Sequence, residues 1–404
     1  MTMAKVTAVH LFEEFLRVSH NAQDESCFVS ESVQLSYGEM LDVVQRSASW
    51  LQSLGVSKGH RISISAPNEI HAIITLASLQ LGCVSATWVS RQVFFSDEYD
   101  FLITTNPQEA PDRATVIPIG EDWLALLMQS APLLEVVSFD DELAPVRIAY
   151  SSGTTGKPKG LAFSTEALKV RMMAAERNWI KGDRFMSLIG FGSMSGVITF
   201  FQRVFSGETF YSPGGPGENA SVIAQRGLTC IKASPAQLMT LLSHCETNKL
   251  TLSSLQLIQS AGSQLPEKLA LKLEGFFEAE ILNLYGSTET GAIAIRTGGI
   301  NKPNQMGAVV PEAQVEIVGA DQIVLASGTE GTVRMRTPMM PKSYVSEQSE
   351  NETGFRNGWF YPGDFGTLTA DGILNLAGRH KEVVNLAGVK VNLGNLDVLV
   401  GNLE

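Results

Sequence analysis

Cysteine is scarce in this chain of 404 residues: Cys27, Cys83, Cys230 and Cys245 are the only four, and no two form a CxxC pair. That excludes a disulfide framework and gives no support to a zinc site, and it suits a reducing cytoplasm. Positive charge is also short, with 30 Lys and Arg against 42 Asp and Glu, for a formal net charge of −12. A duplex nucleic acid or an anionic membrane surface is therefore disfavoured as the main partner. A nucleotide is not, because it needs only local positive charge. Long hydrophobic runs are missing as well. The most apolar stretch, HAIITLASLQLGCVSATW (71–88), carries His, Gln, Ser and Thr, so a buried helix is expected there rather than a membrane span. The N-terminal MTMAKVTAVHLFEEFLRVSH breaks its apolar residues with charge and predicts an amphipathic helix, not a signal peptide. The sequons at Asn219 and Asn351 carry no meaning without secretion. There is no internal repeat and no low-complexity tract. What remains, 44% hydrophobic and 18% charged, can fill two or three compact units of a soluble cytoplasmic protein.

Along the chain, helical and strand-like patterns alternate. YGEMLDVVQRSASWLQSLG (37–55) has helical spacing and stops at a glycine; RISISAP (61–67) follows as a strand. FMSLIGF (185–191), LTCIKAS (228–234) and LQLIQSAG (255–262) continue the strand pattern, with SPAQLMTLLSHC (234–245) as a helix between them. Such alternation predicts α/β architecture with largely parallel sheets. From about residue 296 to 378 the texture turns β-rich, with AQVEIV, GTVRMRT and GTLTADGILNLAG and a turn signal at Asp371-Gly372.

The chemistry concentrates in SSGTTGKPKG (151–160). Between two expected strands, Gly153, Gly156 and Gly160 can bend their amides around an anion. Ser151, Ser152, Thr154 and Thr155 add hydroxyl donors, and Lys157 and Lys159 supply charge. A helix is expected to begin at Ser164 or Thr165. The stretch is not a GxxxxGK[ST] loop, since only two residues separate its first glycine from the Gly-Lys pair. On these residues alone it reads equally as a phosphate cradle or as an exposed flexible turn.

Four motifs together, YSSGTTGKPKG (150–160), NLYGSTET (283–290), YPGDFG (361–366) and GRHKEVVNLAGVKV (378–391), resemble in order and spacing those of the adenylate-forming (ANL) superfamily. That group contains acyl-CoA synthetases, adenylation domains of peptide synthetases and firefly-type luciferases. The resemblance implies an α/β fold: the superfamily's large N-terminal domain over 1–380, two α/β subdomains with mainly parallel sheets, and a small barrel-like β subdomain at 296–378. It places a hinge and the start of a small C-terminal domain at 381–404, where the chain stops short of the family's catalytic lysine. Loss of that one preorganised donor would slow adenylation on the order of 10²–10³-fold.

By the same resemblance, Ser151, Ser152, Gly153, Thr154, Thr155, Gly156 and Lys157 hold ATP phosphates, with Lys159 beside them in a catalytic role. Asn283, Tyr285, Gly286 and Ser287 border the nucleotide, Tyr285 stacking on adenine. Thr288 meets the α-phosphate or the acid, and Glu289 ligates Mg²⁺. Asp364 accepts from the ribose hydroxyls, Arg379 contacts ribose and phosphate, and Lys381 is the hinge residue. Gly262 and Ser263, in SAGS (260–263), lie where relatives border the adenine; Ser263 departs from their usual Gly-Gly-Glu. Elsewhere Asn385 and Asn395 stand where relatives commonly have Lys and Glu, and 89–107 looks shortened.

The implied reaction activates a carboxylic acid as acyl-AMP, releases pyrophosphate, and passes the acyl group to coenzyme A or to a carrier-protein phosphopantetheine. Members that take α-amino acids present a Phe-Asp pair to the ammonium. Here Phe191 is followed by Gly192, so an aliphatic or aryl acid without an α-amine is expected. Phe191, Gly192, Met194, Ser195 and Ser234 could line its pocket or equally belong to the core. A naturally short or non-catalytic nucleotide-binding homologue, acting with a partner, stands as the alternative.

Overall fold

Ser36 closes a strand and opens a helix in one step. Its hydroxyl accepts from the Glu39 amide at 3.2 Å, and the Glu39 carboxylate accepts from the Ser36 amide at 2.8 Å, a reciprocal capping box. The same device, built from Ser234 and Gln237, starts a later helix. The computed structural model describes residues 10–88, 99–109, 115–151, 159–178, 184–297, 304–341, 344–345, 354–379, 383–386 and 389–392. They fall into two compact units, residues 1–177 with 189–213, and residues 178–188 with 214–404.

The first unit runs α1 (Leu11–Asn21), β1 (Ser26–Val29), β2 (Gln34–Ser36), α2 (Tyr37–Ser53), β3 (Arg61–Ser65), α3 (Asn68–Gln80), β4 (Val84–Thr87), β5 (Phe101–Thr104), β6 (Thr115–Pro118), α4 (Trp123–Met128), β7 (Pro145–Ser151), β8 (Lys159–Ser164) and α5 (Thr165–Asn178). Of the amphipathic helix expected over residues 1–20, residues 1–9 lie outside the described residues and the rest appears as α1, whose Leu11, Phe12, Phe15 and Val18 turn one face into the core. Its main sheet has the order β6-β5-β3-β4-β7-β8, parallel except for the β7–β8 hairpin. Ser164 accepts from the Ala167 amide at 3.3 Å and so starts α5 as expected. The single buried helix expected over 71–88 is corrected: α3 stops at Gln80, Gly82 turns the chain with φ 65°, and Val84–Thr87 becomes a strand. A left-handed glycine followed by β-branched residues ends a helix, whatever the hydrophobicity around it. The stretch read as shortened, 89–107, lies outside the described residues up to 98; from Phe101 it supplies β5, which pairs with β3 on one side and β6 on the other.

The second unit begins with β9 (Phe185–Ser187). The strand pattern expected to 191 ends at Ser187, because the following residues form the turn that leads into α6 (Met194–Phe205) of the first unit. After β10 (Phe210–Tyr211), which joins β1 and β2 in a small sheet, come α7 (Pro216–Arg226), β11 (Cys230–Ala233), α8 (Pro235–Asn248), β12 (Leu257–Ala261), α9 (Glu267–Phe277) and β13 (Glu280–Ser287). Strands β9, β11, β12 and β13 pair in parallel, as the strand–helix alternation predicts. From there the sheet turns antiparallel through β14 (Gly291–Thr297), β15 (Gln305–Val309), β16 (Gln314–Val318), β17 (Gly331–Arg336), β18 (Phe355–Arg356), β19 (Trp359–Phe360), β20 (Asp364–Leu368) and β21 (Ile373–Arg379). The Asp371-Gly372 signal is the turn between the last two. Strands β22 (Val383–Leu386) and β23 (Val389–Asn392) form a separate hairpin. Among the described residues no helix is long and apolar enough to cross a membrane.

The core is not wholly apolar, and one of its charged side chains has a titration consequence. Lys232, on β11, is fully buried above the Phe185 ring, and burial lowers its ammonium from 10.5 to about 7. The folded pKa lies below the unfolded one, so protonated Lys232 opposes folding. The penalty is absent above about 10.5, grows as pH falls, and is complete below about 7. Lys232→Met should therefore raise the unfolding midpoint by at least ~2 °C at about pH 6.5 and by much less at about pH 10. Scanning calorimetry of both proteins at the two pH values checks this; an equal gain at both would exclude the charge as cause.

Candidate nucleotide site

Asp364 and Arg379 are opposite one another in the β20–β21 ladder, which follows from the turn at Asp371-Gly372. The Arg379 Nε donates to Asp364 Oδ1 at 2.9 Å, and the Tyr285 hydroxyl, from the end of β13, donates to Oδ2 at 2.5 Å. Asp364 is 2% exposed, whereas the Arg379 side chain is 55% exposed. Burial first, then the adjacent carboxylate, push the Tyr285 phenol well above its ordinary value, so it stays a donor. The result is a rigidly oriented carboxylate beside a tyrosine ring. Two oxygens holding one donor each keep further lone pairs for a pair of hydroxyls.

Beside it, the β13–β14 hairpin turns through STET. Ser287 and Thr290 lock its base: each amide donates to the other's hydroxyl at 3.3 Å, and the hydroxyls meet at 3.2 Å. Thr288 and Glu289 are thereby the two central residues of a braced turn. Gly286 is required by close approach, since a Cβ there would stand 2.0 Å from the Gly291 carbonyl oxygen. Glu289 is 6% exposed, and its Oε1 accepts from the Tyr344 hydroxyl at 3.0 Å. Tyr344 was invisible to sequence reasoning, because a lone tyrosine 55 residues downstream carries no spacing signal.

Strands β12 and β13 contribute two further groups. Ser260 and Asn283 are register partners, and Ser260 Oγ and Asn283 Oδ1 are both buried without a hydrogen-bond partner among the described residues. Unsatisfied polar atoms of this kind on neighbouring parallel strands suit a ligand with polar edges. Gly262 follows with φ 96°, a conformation glycine alone adopts freely, and Ser263 beside it is exposed.

In the first unit, Ser151 and Lys159 are register partners at the mouth of the β7–β8 hairpin; both are buried, and Ser151 Oγ has no partner among the described residues. Ser152, Gly153, Thr154, Thr155, Gly156 and Lys157 lie outside the described residues, as does Lys381. Of the proposed acid-pocket residues, Phe191 and Met194 are buried, Gly192 is exposed and Ser195 is half-buried. The Ser234 hydroxyl is committed to the cap of α8.

An oriented carboxylate, a braced hydroxyl–carboxylate turn and open polar atoms on parallel strands of an α/β fold suit a nucleotide. The family model for the AMP-binding enzymes matches residues 15–93 and 95–345, and the chain belongs to that family. It is 26% identical over 408 residues to the long-chain-fatty-acid–CoA ligase FadD13 of Mycobacterium tuberculosis, covering 92% of this chain and 79% of that protein. A probable CoA ligase of Humulus lupulus, CCL9, is 25% identical over 409 residues, covering 92% of this chain and 77% of the relative. The fold matches the o-succinylbenzoate coenzyme A synthetase MenE of Bacillus subtilis in complex with AMP with a TM-score of 0.86 at 21% identity, over 98% of this chain and 84% of that one.

Proposed function

We propose that this protein activates a carboxylic acid with ATP and transfers the acyl group to the thiol of coenzyme A. The observation that carries it is the Tyr285–Asp364–Arg379 cluster, which presents a buried, oriented carboxylate suited to the paired hydroxyls of a ribose. Membership of the AMP-binding enzymes supports the nucleotide, and the CoA ligases among its relatives support the acceptor.

The chemistry follows. An oxygen of the acid attacks the α-phosphorus, the bond to the β,γ-phosphates breaks, and acyl-AMP and pyrophosphate result. The thiol sulfur then attacks the acyl carbon, AMP leaves, and the thiol proton passes to solvent. Neither step needs a protein nucleophile; both need alignment and charge neutralisation. Asp364 fixes the ribose, the Thr288 hydroxyl donates to the attacking carboxylate or the α-phosphate, and Lys159 neutralises phosphate charge. The loop from Ser152 to Lys157 is proposed to cradle the departing phosphates, and Lys381 to act as the hinge.

Glu289 fits Mg²⁺: it is one hard-oxygen donor, and the described residues hold no cluster of three His, Cys, Asp or Glu. Magnesium bound by one carboxylate completes its shell with nucleotide oxygens and water. When bound, the ion screens the phosphate charge.

Gly192 after Phe191 leaves an α-ammonium without a carboxylate, so the acid is an aliphatic or aryl one, with a carrier-protein thiol as an acceptor to be tested beside coenzyme A. The cytoplasm is the expected compartment; the four cysteines are buried and none is in a disulfide.

The test is acid-dependent pyrophosphate release with ATP·Mg²⁺ over octanoate, phenylacetate, oxalate and glycine, followed by thioester formation with coenzyme A. Release with one non-amino acid and a thioester product is expected. Release with glycine alone would overturn the acid class, and AMP binding without release under any acid would overturn the ligase.

A further inference from the structure

The half-buried Thr87 Oγ1 is the centre of a polar network that no part of the proposed chemistry uses. It donates to the Phe191 carbonyl at 2.7 Å, receives Arg147 Nη2 at 2.5 Å, and meets His71 Nε2 at 2.9 Å. A hydroxyl has one proton and two lone pairs. The carbonyl can only accept, so it takes the proton. The guanidinium can only donate and fills one lone pair, so His71 must donate to the other. His71 is therefore the Nε2–H tautomer, and its Nδ1 accepts from the Thr75 hydroxyl at 3.2 Å. Burial and the neighbouring Arg147 hold the imidazole well below its ordinary pKa, which agrees with a neutral ring.

Arg147 is 1% exposed; its Nη1 donates to Ser85 Oγ at 3.2 Å, and its Nε has no partner among the described residues. A buried guanidinium bonded to two hydroxyls is a poor choice for stability alone. What the network grips is one backbone carbonyl and one ring: His71 also stacks on Phe191 at 4.4 Å and 20°. Phe191 is the residue immediately before Gly192 and Ser193, and the Ser193 hydroxyl starts α6 by accepting from the Gly196 amide at 3.4 Å.

We propose that Arg147, Thr87 and His71 are positioning residues that set the Phe191–Gly192 turn and through it the enzyme's choice of acid. The proposal rests on the reading of residues 191–195 as the acid pocket. Thr87→Val keeps the side chain's shape but removes the donor to the carbonyl and both acceptors. The KM for the best acid of the panel should rise about tenfold with the KM for ATP unmoved, and the melting temperature should fall, because the buried Arg147 and His71 donors lose their acceptor. Thr87→Ser, which retains the hydroxyl, should restore the acid KM.

Gly192→Leu separates the two ideas, because no heavy atom lies within 4 Å of a Cβ built at this exposed position. A shift in acid KM with Gly192→Leu, but none with Thr87→Val, would overturn the positioning role and leave the pocket standing. Silence from both would remove the pocket and the proposal with it. Equal losses for acid and ATP in Thr87→Val would mark a merely structural residue and overturn it too. If no acid of the panel turns over, amide hydrogen exchange over 192–196 decides: faster exchange in Thr87→Val and wild-type exchange in Thr87→Ser are expected, and no change in either overturns the proposal.

Discussion

Asp364→Ala should weaken AMP binding about a hundredfold, the loss expected when charge-assisted hydrogen bonds to both ribose hydroxyls go together. The substitution also strands the Tyr285 hydroxyl, which has Asp364 Oδ2 as its acceptor. Tyr285→Phe separates that effect: it removes the support and keeps the carboxylate, so about a threefold to tenfold loss is expected. Isothermal titration with AMP reads both, and circular dichroism confirms that each variant is folded. Wild-type affinity in Asp364→Ala would place the ribose elsewhere. The exposed side of the ion pair should matter less, because an arginine that is 55% exposed competes with water for its partner.

Glu289→Gln should cut pyrophosphate release by about 10²–10³-fold and move the magnesium titration to higher concentration, with AMP affinity retained. An amide of the same shape still accepts the Tyr344 hydrogen bond, so the change isolates the charge. Tyr344→Phe keeps the charge and removes the hydroxyl that donates to Oε1, and should move the magnesium midpoint by less than about tenfold. A magnesium titration that does not shift in Glu289→Gln would end the metal role of that carboxylate. A loss of AMP affinity equal to the loss of turnover would instead mean that the braced turn itself had collapsed.

Much of the site was legible because its parts are close in sequence. STET holds its own lock, Ser287 to Thr290, so the turn that carries Thr288 and Glu289 needs only four residues to be recognised. YPGDFG ends on a strand whose partner follows one tight turn later, which puts Arg379 opposite Asp364 by register alone. The pairing of Tyr285 with Asp364 spans 79 residues and that of Tyr344 with Glu289 spans 55, and no local pattern encodes either. The same holds for the network around Thr87, where Arg147 arrives from 60 residues away and the Phe191 carbonyl from 104. As sequence, Arg147, His71 and Lys232 read as ordinary polar residues among apolar ones, and only the packing around them shows that they are buried.

By itself the sequence determined the alternation of helix and strand, the two strands that flank the glycine-rich loop, and the motifs that mark an AMP-binding enzyme. Periodicity, caps and turn residues act over a few positions, and these features are written at that range. Tertiary structure decided which tyrosines support the two carboxylates and which tautomer His71 adopts. Each of those depends on what a distant strand brings within 3 Å or so, and hydrogen-bond donors and acceptors are matched only at that distance.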